Sequence, residues 1–444
     1  LWQKNTQTHE QVSAFTVGKD REFDLLLAEA DVLGNIAHTT MLESIGLLTH
    51  EEMELVHAEL RIIHADIEAG TFCIEDDVED VHSQVELLLT RKLGDVGKKI
   101  HSGRSRNDQV LVDLKIFMRD AIKETVSSMQ QLFTGLQSLS EKHADLLIPG
   151  YTHLQVAMPS SFGLWFGCYA ESLSDDLQLL LAAYKITNQN PLGSAAGYGS
   201  SFPLNRTMTT DLLGFEELNY NVMYAQMGRG KVEKTVSYAI ASIGSTLSKM
   251  AMEVCLFMSQ NFGFVTFPDE FTTGSSIMPH KKNPDVFEYI RGKCNKLQAL
   301  PVEIAYITTN LPFGYNRDLQ LIKEHFLPAF DEIISCMDIA NVLFSHIQIS
   351  DGILDDSKYD YLFSVDEVNR RVLEGIPFRD AYKQVGLEIQ EGKFNPDKSA
   401  NHTHEGSIGN LCTEEIRRKF NTIFEEFNFD MLADKKRQLL QPTP

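Results

Sequence analysis

The sequence of 444 residues lacks the short motifs that bind common cofactors and metals. It contains no GxGxxG or Walker phosphate loop, no HExxH, no His/Cys cluster at metal-ligand spacing and no GxSxG nucleophile elbow. We therefore expect no cofactor and no metal. Any chemistry must come from ordinary side chains.

Positive charge is scarce in this chain. It has 40 Lys and Arg against 62 Asp and Glu, which gives a formal net charge of −22. Nucleic-acid binding needs a basic face that neutralises phosphates, so the composition excludes nucleic acid as a general partner. At first sight, the same excess of acid also argues against an anionic small-molecule substrate.

Long apolar runs and paired cysteines are absent as well. Apolar stretches such as 179–183 are much shorter than the roughly 20 residues that span a bilayer. The N-terminus, LWQKNTQTHEQ, is too polar for a signal peptide. The six cysteines form no CxxC pair, which favours free thiols in a reducing compartment. We expect a cytoplasmic protein with no membrane partner.

Proline is missing from residues 1–148 and 204–267, so long helices are permitted there. Apolar residues that recur every three or four positions predict long helices over about 108–145, 160–184 and 230–262, after Pro284, and over 319–346. Some are apolar on more than one face, for example FGLWFGCYA at 162–170, and must be buried in a large bundle or between subunits. We find no alternating pattern that predicts a β-hairpin.

The two ends of the chain differ from the middle because their helical segments are short. The stretch SVDE at 364–367 predicts a capping box that opens a helix ending near Gly375. We predict an all-α protein with a small N-terminal helical domain (1–105), a central domain of long bundled helices (106–359) and a small C-terminal helical domain (360–444).

A basic segment without acids precedes the first long helix. Residues 98–107, KKIHSGRSRN, contain four Lys or Arg side chains. The segment leads into a helix N-terminus, where free backbone N–H groups and the helix dipole favour an anion. It therefore predicts an anion site. The alternative is a solvated loop in which Asn107 or Asp108 only caps the helix.

Two further segments interrupt the helical pattern. GYTHLQ at 150–155 contains a His suited to proton transfer near neutral pH, and its Thr152 and Gln155 can orient a substrate, although a His in a loop is more often structural or exposed. TTGSSIMPHKKNP at 272–284 is a polar loop with a Gly hinge, which is typical of loops that gate active sites. An ordinary linker would explain its flexibility but not its concentration of Ser, Lys and Asn.

Cations, amides, a His and a Ser suit a substrate that carries carboxylates. They can also stabilise the charge that develops on a carboxylate when the neighbouring carbon loses a proton. Elimination next to a carboxylate is therefore the reaction that fits these side chains without a cofactor.

Three motifs together resemble those of one enzyme superfamily. GSSIMPHKKNPD at 274–285 is similar to the signature of the aspartase/fumarase lyases, and HSGRSRNDQV at 101–110 with GYTHLQ resembles the argininosuccinate lyases among them. NPLGSAA at 190–196 and YNRDLQLIKE at 315–324 extend the resemblance over nearly the whole chain. The resemblance implies a homotetramer with a twenty-helix core, and four active sites that are each built from loops of three subunits.

The same resemblance implies reversible cleavage of argininosuccinate into arginine and fumarate, the last step of arginine biosynthesis. Ser275 would be the base, and Lys281 and Asn283 would stabilise the aci-carboxylate intermediate. His153, with Glu288 as its charge partner, would protonate the departing guanidinium nitrogen. The implied substrate contacts are Asp20, His82, Ser105, Arg106, Asn107, Thr152, Gln155, Ser276, Tyr315, Gln320 and Lys323.

The sequence departs from the family pattern at several positions. His280 stands where the family commonly has Gln, and Val156-Ala157-Met158 replaces Arg-Ala-Gln. Asp20 stands where the family usually has a substrate-binding Ser, with Thr16 as the weaker candidate for that place. An acid there can bind the amino or guanidinium end of the substrate but not a carboxylate. These changes concern the arginine half and leave the elimination chemistry alone.

Three alternatives remain at this point. Another fumarate-releasing lyase, of the adenylosuccinate lyase or aspartase type, would share the Ser loop but not HSGRSRNDQ with YNRDLQ. A non-catalytic structural relative would not need the retained Ser275, Lys281 and His153. A helical scaffold for partner helices would explain none of the loops. The negative net charge does not exclude a substrate that carries carboxylates, because the acid-poor islands at 98–107 and 280–283 can bind carboxylates locally.

Overall fold

A computed structural model describes residues 10–400 and 402–442. Most of the polar N-terminal stretch interpreted above lies outside these residues. Eighteen α-helices occur in the described residues: α1 Glu10–Val17, α2 Asp20–Asp24, α3 Ala28–Ser44, α4 His50–Glu68, α5 Val81–Leu93, α6 Asp95–Lys98, α7 Arg106–Lys142, α8 Phe162–Thr187, α9 Arg206–Leu212, α10 Val222–Met227, α11 Lys231–Met258, α12 Asp285–Leu297, α13 Leu300–Thr308, α14 Ile322–Ser345, α15 Ser364–Leu373, α16 Phe378–Gln390, α17 Thr413–Glu425 and α18 Phe429–Leu440.

Strands are short and pair two by two: β1 Leu147–Thr152 with β2 Gln155–Ser161, β3 Gln189–Asn190 with β4 Glu217–Leu218, β5 Val265–Thr266 with β8 Gln348–Ile349, and β6 Thr273–Gly274 with β7 Lys282–Asn283. Single 3₁₀ segments link the helices at Leu25–Leu27, Lys99–His101, Asp269–Phe271, Arg317–Leu321, Ile353–Asp355 and Ser357–Phe363. The predicted all-α class is confirmed.

Four long helices form the centre of the molecule. The helices α7, α8, α11 and α14 have 37, 26, 28 and 24 residues and share one large apolar core. The predicted long helices are confirmed with shifted ends. The helix after Pro284 stops at Leu297, and α13 begins at Leu300 with Pro301 in its first turn, where a missing N–H costs nothing.

The bundle leaves large apolar side chains on its outer faces. Tyr289 is 70% exposed and Tyr306 is 77% exposed, and Tyr238 and Met252 on α11 are about half exposed. The helix α11 is long and apolar enough to cross a membrane by length and composition alone, but half of its most apolar stretch is buried in the core of this chain. A core helix of that length meets the same criterion.

The ends of the chain build smaller cores. The helices α3, α4 and α5 meet around Val32, Val56 and Val85, and α15 and α16 meet around Val368 and Val385. The last two helices return to other parts of the molecule. In α17, Phe420 stacks on Phe133 of α7 with ring centroids 4.0 Å apart, and α18 packs on α3.

Two sequence predictions were wrong. A β-hairpin exists at β1–β2, and its pattern was hidden because Pro149 lies opposite Pro159 and its two-residue tip is His153-Leu154 rather than Asn-Gly. The stretch at 364–367 is not a capping box, because Ser364 already lies inside α15 and the N-cap residue, Phe363, makes no side-chain cap. That helix continues directly from a 3₁₀ segment.

Candidate active site

A polar cavity of about 250 Å³ opens where α5, α7 and the 3₁₀ segment 317–321 approach the junction of α10 and α11. Four of the sequence-predicted residues line it together: Arg106, Asn107, Tyr315 and Gln320. Its other lining residues are Glu79, Asp80, Ser83, Val110, Leu111, Gln226, Arg229 and Arg317. The polar lining and charged side chains suit a small ionic ligand rather than an apolar one.

The N-terminus of α7 forms one wall of this cavity. Ser105, rather than Asn107 or Asp108, is the N-cap residue, and the carboxylate of Asp108 closes the capping box by accepting from the Ser105 N–H at 2.8 Å. Asn107 therefore stays available as a lining residue. Arg106 donates to Gln109 Oε1 at 3.0 Å and to Ser83 Oγ at 3.2 Å, which fixes its guanidinium at the cavity edge.

Two further guanidinium groups line the cavity, and partners from the same chain hold both. Arg229 lies 2.9 Å from Glu233 Oε1 and donates through Nη2 to the Leu319 carbonyl at 3.0 Å. Arg317 donates to Glu79 on the opposite wall. Planar guanidinium groups held in this way are pre-oriented for carboxylates. Each remains paired with an acid, so the cavity is polar without a large net charge.

Lys323 and Asp20, predicted for the arginine half, form an ion pair that does not line this cavity. Lys323 is 3% exposed, and its Nζ lies 2.6 Å from Asp24 and 3.1 Å from Asp20. Burial raises the pKa of Asp20, and the ammonium of Lys323 opposes part of this rise. Beside this cluster, Gln320 donates through Nε2 to Tyr315 Oη at 2.9 Å. Asp20 and Gln320 also line a neighbouring cleft together with Arg317.

His82 lies behind the cavity wall and is 2% exposed. Its Nδ1 is 2.9 Å from Asp31 and 3.1 Å from Asp113, which are both fully buried. Burial alone would lower the pKa of His82, but the hydrogen bonds to Asp113 and Asp31 outweigh it and raise the pKa to about 10. A substrate contact of His82 therefore stays a prediction, whereas its neighbour Ser83 reaches the cavity.

The same three side chains offer ligand atoms within 4.8 Å of one another, a spacing that a metal ion can bridge. Two observations favour an internal ion-pair cluster instead. His82 is held protonated by its neighbours, and the guanidinium of the buried Arg104 lies close enough to lower the pKa of Asp31. Two cations thus already balance Asp31, and burial raises the pKa of Asp113 and so favours its neutral form. A divalent ion would add charge to this buried cluster.

The β1–β2 hairpin presents Thr152, His153 and Gln155 at its tip, where all three are exposed. His153 and Leu154 both have positive φ, 53° and 57°, as a two-residue type I′ turn requires. His153 lines a second cavity of about 680 Å³ with Trp165 and Glu253, separate from the lining of the first.

The loop with the remaining predicted residues is a small hairpin between β6 and β7. Thr273 pairs with Asn283 and Gly274 with Lys282. Ser275 Oγ accepts from the N–H groups of Ile277 and Met278 at 3.3 and 3.1 Å.

Ser276 and Lys281 lie between β6 and β7 and are exposed, as is Glu288 on α12. The cation nearest to Glu288 in this chain is Arg291, at 3.9 Å, rather than His153.

One chain therefore brings four of the eleven predicted binding residues together around one cavity, but none of the predicted reacting groups. Sequence reasoning missed the lining residues Gln226, Arg229, Glu79, Asp80 and Ser83. The only signal for two of them was the stretch QMGRGK at 226–231, an arginine flanked by glycines between two helices.

Comparison with known families assigns this helical bundle to the lyases of the aspartase/fumarase superfamily. Residues 5–299 match the family model described as Lyase. The solved structure titled EDDS lyase in complex with formate has the same fold, with a TM-score of 0.78 and 22% identity over 98% of this chain and 95% of that one.

Curated relatives define the family more narrowly. The chain is 65% identical to the argininosuccinate lyase of Parabacteroides distasonis and 64% identical to that of Phocaeicola vulgatus, and each match covers 99% of both chains. It belongs to the argininosuccinate lyase family and is an enzyme.

Proposed function

We propose that the protein cleaves argininosuccinate reversibly into L-arginine and fumarate and so completes arginine biosynthesis. The observation that carries this proposal is the identity of 62–65% over 99% of the chain to five curated argininosuccinate lyases. The cavity supports it because guanidinium groups suit the substrate carboxylates, and the neighbouring cleft supports it because the carboxylate of Asp20 suits the cationic end.

Ser275 is the base in this proposal. Its oxygen accepts two backbone N–H groups, from Ile277 and Met278. Such donors stabilise the negative charge of an alkoxide better than they stabilise a neutral hydroxyl. Ser275 takes the proton from the carbon beside a succinyl carboxylate, and the electron pair moves onto the carboxylate oxygens. Lys281 and Asn283 stabilise that aci-carboxylate.

Collapse of the aci-carboxylate forms the double bond of fumarate and breaks the carbon–nitrogen bond. The electron pair of the broken bond stays on the guanidine nitrogen of the leaving arginine. His153, directly or through water, donates the proton that this nitrogen needs, and Glu288 supports the charged imidazole. The two carboxylates of the substrate and its arginine half are bound by Ser105, Arg106, Asn107, Thr152, Gln155, Ser276, Asp20, His82, Tyr315, Gln320 and Lys323.

The working form in this proposal is a homotetramer with each site shared by three subunits. Two observations support it. His153 and Ser275 lie outside the cavity formed by the binding residues of the same chain. The bundle also leaves Tyr289, Tyr306 and Met252 exposed, and such apolar patches are typical of subunit interfaces.

We further propose a cytoplasmic location and the three-domain division at 105/106 and 359/360. The six free cysteines agree with a reducing compartment. The separate small cores of α3–α5 and of α15–α16 support the division, although α17 joins the central core.

A substrate panel tests the proposed activity. Purified protein receives argininosuccinate, adenylosuccinate, aspartate or malate, and the appearance of fumarate is followed by its ultraviolet absorbance. We expect turnover of argininosuccinate alone. No turnover of argininosuccinate by protein of tetrameric mass would refute the proposal.

A further inference from the structure

Gln226 is a cavity residue that the mechanism above does not use. It lies on α10, is 7% exposed, and faces the same cavity as Arg229, Tyr315 and Gln320. Its Cγ packs so closely under Gly197 that a Cβ on that glycine would lie 2.7 Å away. The side chain is therefore held in one place by its surroundings.

The amide of Gln226 is also fixed in orientation. It is 3.2 Å from the carbonyl oxygen of Ala195. A carbonyl oxygen only accepts hydrogen bonds, so the amide atom that faces it must be Nε2. The other atom, Oε1, accepts no hydrogen bond from residues 10–400 and 402–442, and it is not fully buried. An acceptor is thus left at the cavity wall.

Gln320, which lines the same cavity, has a similar arrangement. Its Nε2 donates to Tyr315 Oη at 2.9 Å, and its Oε1 is a buried atom without a partner in the described chain. Two amide oxygens of residues that line one cavity therefore lack a donor within the described chain. A buried acceptor without a donor is costly, which applies to Gln320 Oε1, and the more accessible Gln226 Oε1 can accept from a ligand with N–H donors.

The carbonyl that orients Gln226 belongs to Ala195, and Asp108 holds the loop of Ala195 in place. Asp108, fully buried at the start of α7, accepts through Oδ2 from the N–H groups of Gly193 and Ala195, each at 2.9 Å. These bonds keep Ala195 at a φ of 52°, which a non-glycine residue rarely adopts. The first turn of α7 thus fixes the loop, and the loop fixes Gln226.

We propose that Gln226 is a substrate-binding residue whose Oε1 accepts a hydrogen bond from a cationic N–H group of the arginine half, opposite Gln320. The donor is either the α-ammonium or the guanidinium, which present the same chemistry. This inference rests on the proposed cleavage of argininosuccinate, and turnover by the wild-type protein tests that activity separately.

The test compares competitive inhibition constants for three ligands. These are L-arginine, 5-guanidinopentanoate, which lacks the α-ammonium, and fumarate, which has no N–H donor. Gln226→Met should raise the inhibition constant of L-arginine by about tenfold or more, which is the loss expected for one hydrogen bond to a charged group. The inhibition constant of fumarate should stay within about twofold of the wild-type value. If the ammonium is the donor, the penalty disappears for 5-guanidinopentanoate. If the guanidinium is the donor, the penalty persists.

A second variant separates binding from mere support of the loop. Gln226→Glu loses the bond to Ala195, as Gln226→Met does, but keeps an acceptor. We expect its inhibition constant for L-arginine to stay within about threefold of wild type, since a carboxylate accepts from a cation at least as well as an amide. Gln189→Met, which breaks a half-buried amide bond to Asn219 outside the cavity lining, is the matched control. Equal losses in Gln226→Met and Gln226→Glu, or equal weakening of arginine and fumarate, would overturn the proposal.

Discussion

The polar cavity and the loop that carries Ser275 differ in how the chain fixes their side chains. Around the cavity, Arg229, Arg317 and Lys323 each have a carboxylate partner in the same chain. In the loop, Lys281 is exposed and Ser275 is bonded only to backbone N–H groups of its own loop. One chain therefore preforms the polar cavity, whereas the groups proposed for chemistry, and the proposed contacts Thr152, Gln155 and Ser276, lie outside it.

The largest expected effect is the loss of turnover in Ser275→Ala. A positioned general base contributes about 10²–10⁴-fold to a rate, so kcat should fall by at least that factor. Assembly and arginine binding should persist, because the hydroxyl supports only two local N–H groups. Steady-state kinetics and sedimentation measure both properties. Substantial residual kcat would show that Ser275 is not the base and that the chemistry does not depend on this loop residue.

Mixing two inactive variants tests whether other chains complete the site. Ser275→Ala and His153→Asn chains, unfolded together and reassembled in equal amounts, should recover about one quarter of native turnover if a site takes these residues from different subunits of a symmetric oligomer. Each variant reassembled alone is the control. Mixed tetramers, verified by mass, that stay inactive would contradict shared sites.

Matched lysine substitutions compare the two regions directly. Lys323→Met leaves Asp20 and Asp24 buried without their cation, and breaking a buried pair costs about 3–5 kcal/mol. Lys281→Met changes an exposed loop residue and should alter stability by less than about 0.5 kcal/mol, although it should reduce kcat. Urea unfolding at fixed protein concentration measures both. Equal stability changes would show that the cavity is no more rigidly built than the loop.

A smaller effect concerns pH. The folded chain raises the pKa of His82 from 6.5 to about 10, and burial raises that of Asp113 as well. Both groups hold protons more tightly when folded, so the stability that His82 adds is complete below about pH 6.5 and is lost as pH rises towards 10. Each such proton contributes a slope of up to about 1.4 kcal/mol per pH unit.

Asp113→Asn removes the titration of residue 113 and also one of the two carboxylates that raise the pKa of His82. Its midpoint of thermal unfolding should therefore fall less between pH 7 and pH 9 than that of the wild-type protein. Identical pH profiles would show that the buried cluster does not hold the extra protons.

The fold was predictable because its signals are local. Apolar spacing of three and four residues located the four long central helices with their ends shifted by a few positions, and missing prolines permitted α7 and α11, whereas α14 contains Pro328. The β1–β2 hairpin was missed because Pro149 and Pro159 occupy positions where the pattern of a strand normally excludes proline. In this chain the two prolines face each other, so neither removes a bond from an outside partner.

The binding residues were predictable only where a motif carried them. Gln226 and Arg229 gain their roles from Ala195 and Leu319, which lie 31 and 90 positions away along the chain. No local pattern reports such contacts. Likewise, His82 stands in a family motif, yet the chain surrounds it with Asp31 and Asp113 from two other helices.

The left-handed tip of the β1–β2 hairpin has a consequence for protein engineering. Two consecutive non-glycine residues with positive φ cost about 1–2 kcal/mol each, and asparagine or glycine at His153 and Leu154 would relieve that cost. Selection for heat resistance alone will therefore favour replacing the proposed proton donor. The expected product is a more thermostable variant without the proposed proton donor. Every stability screen of this chain therefore needs an activity assay beside its thermal unfolding curve.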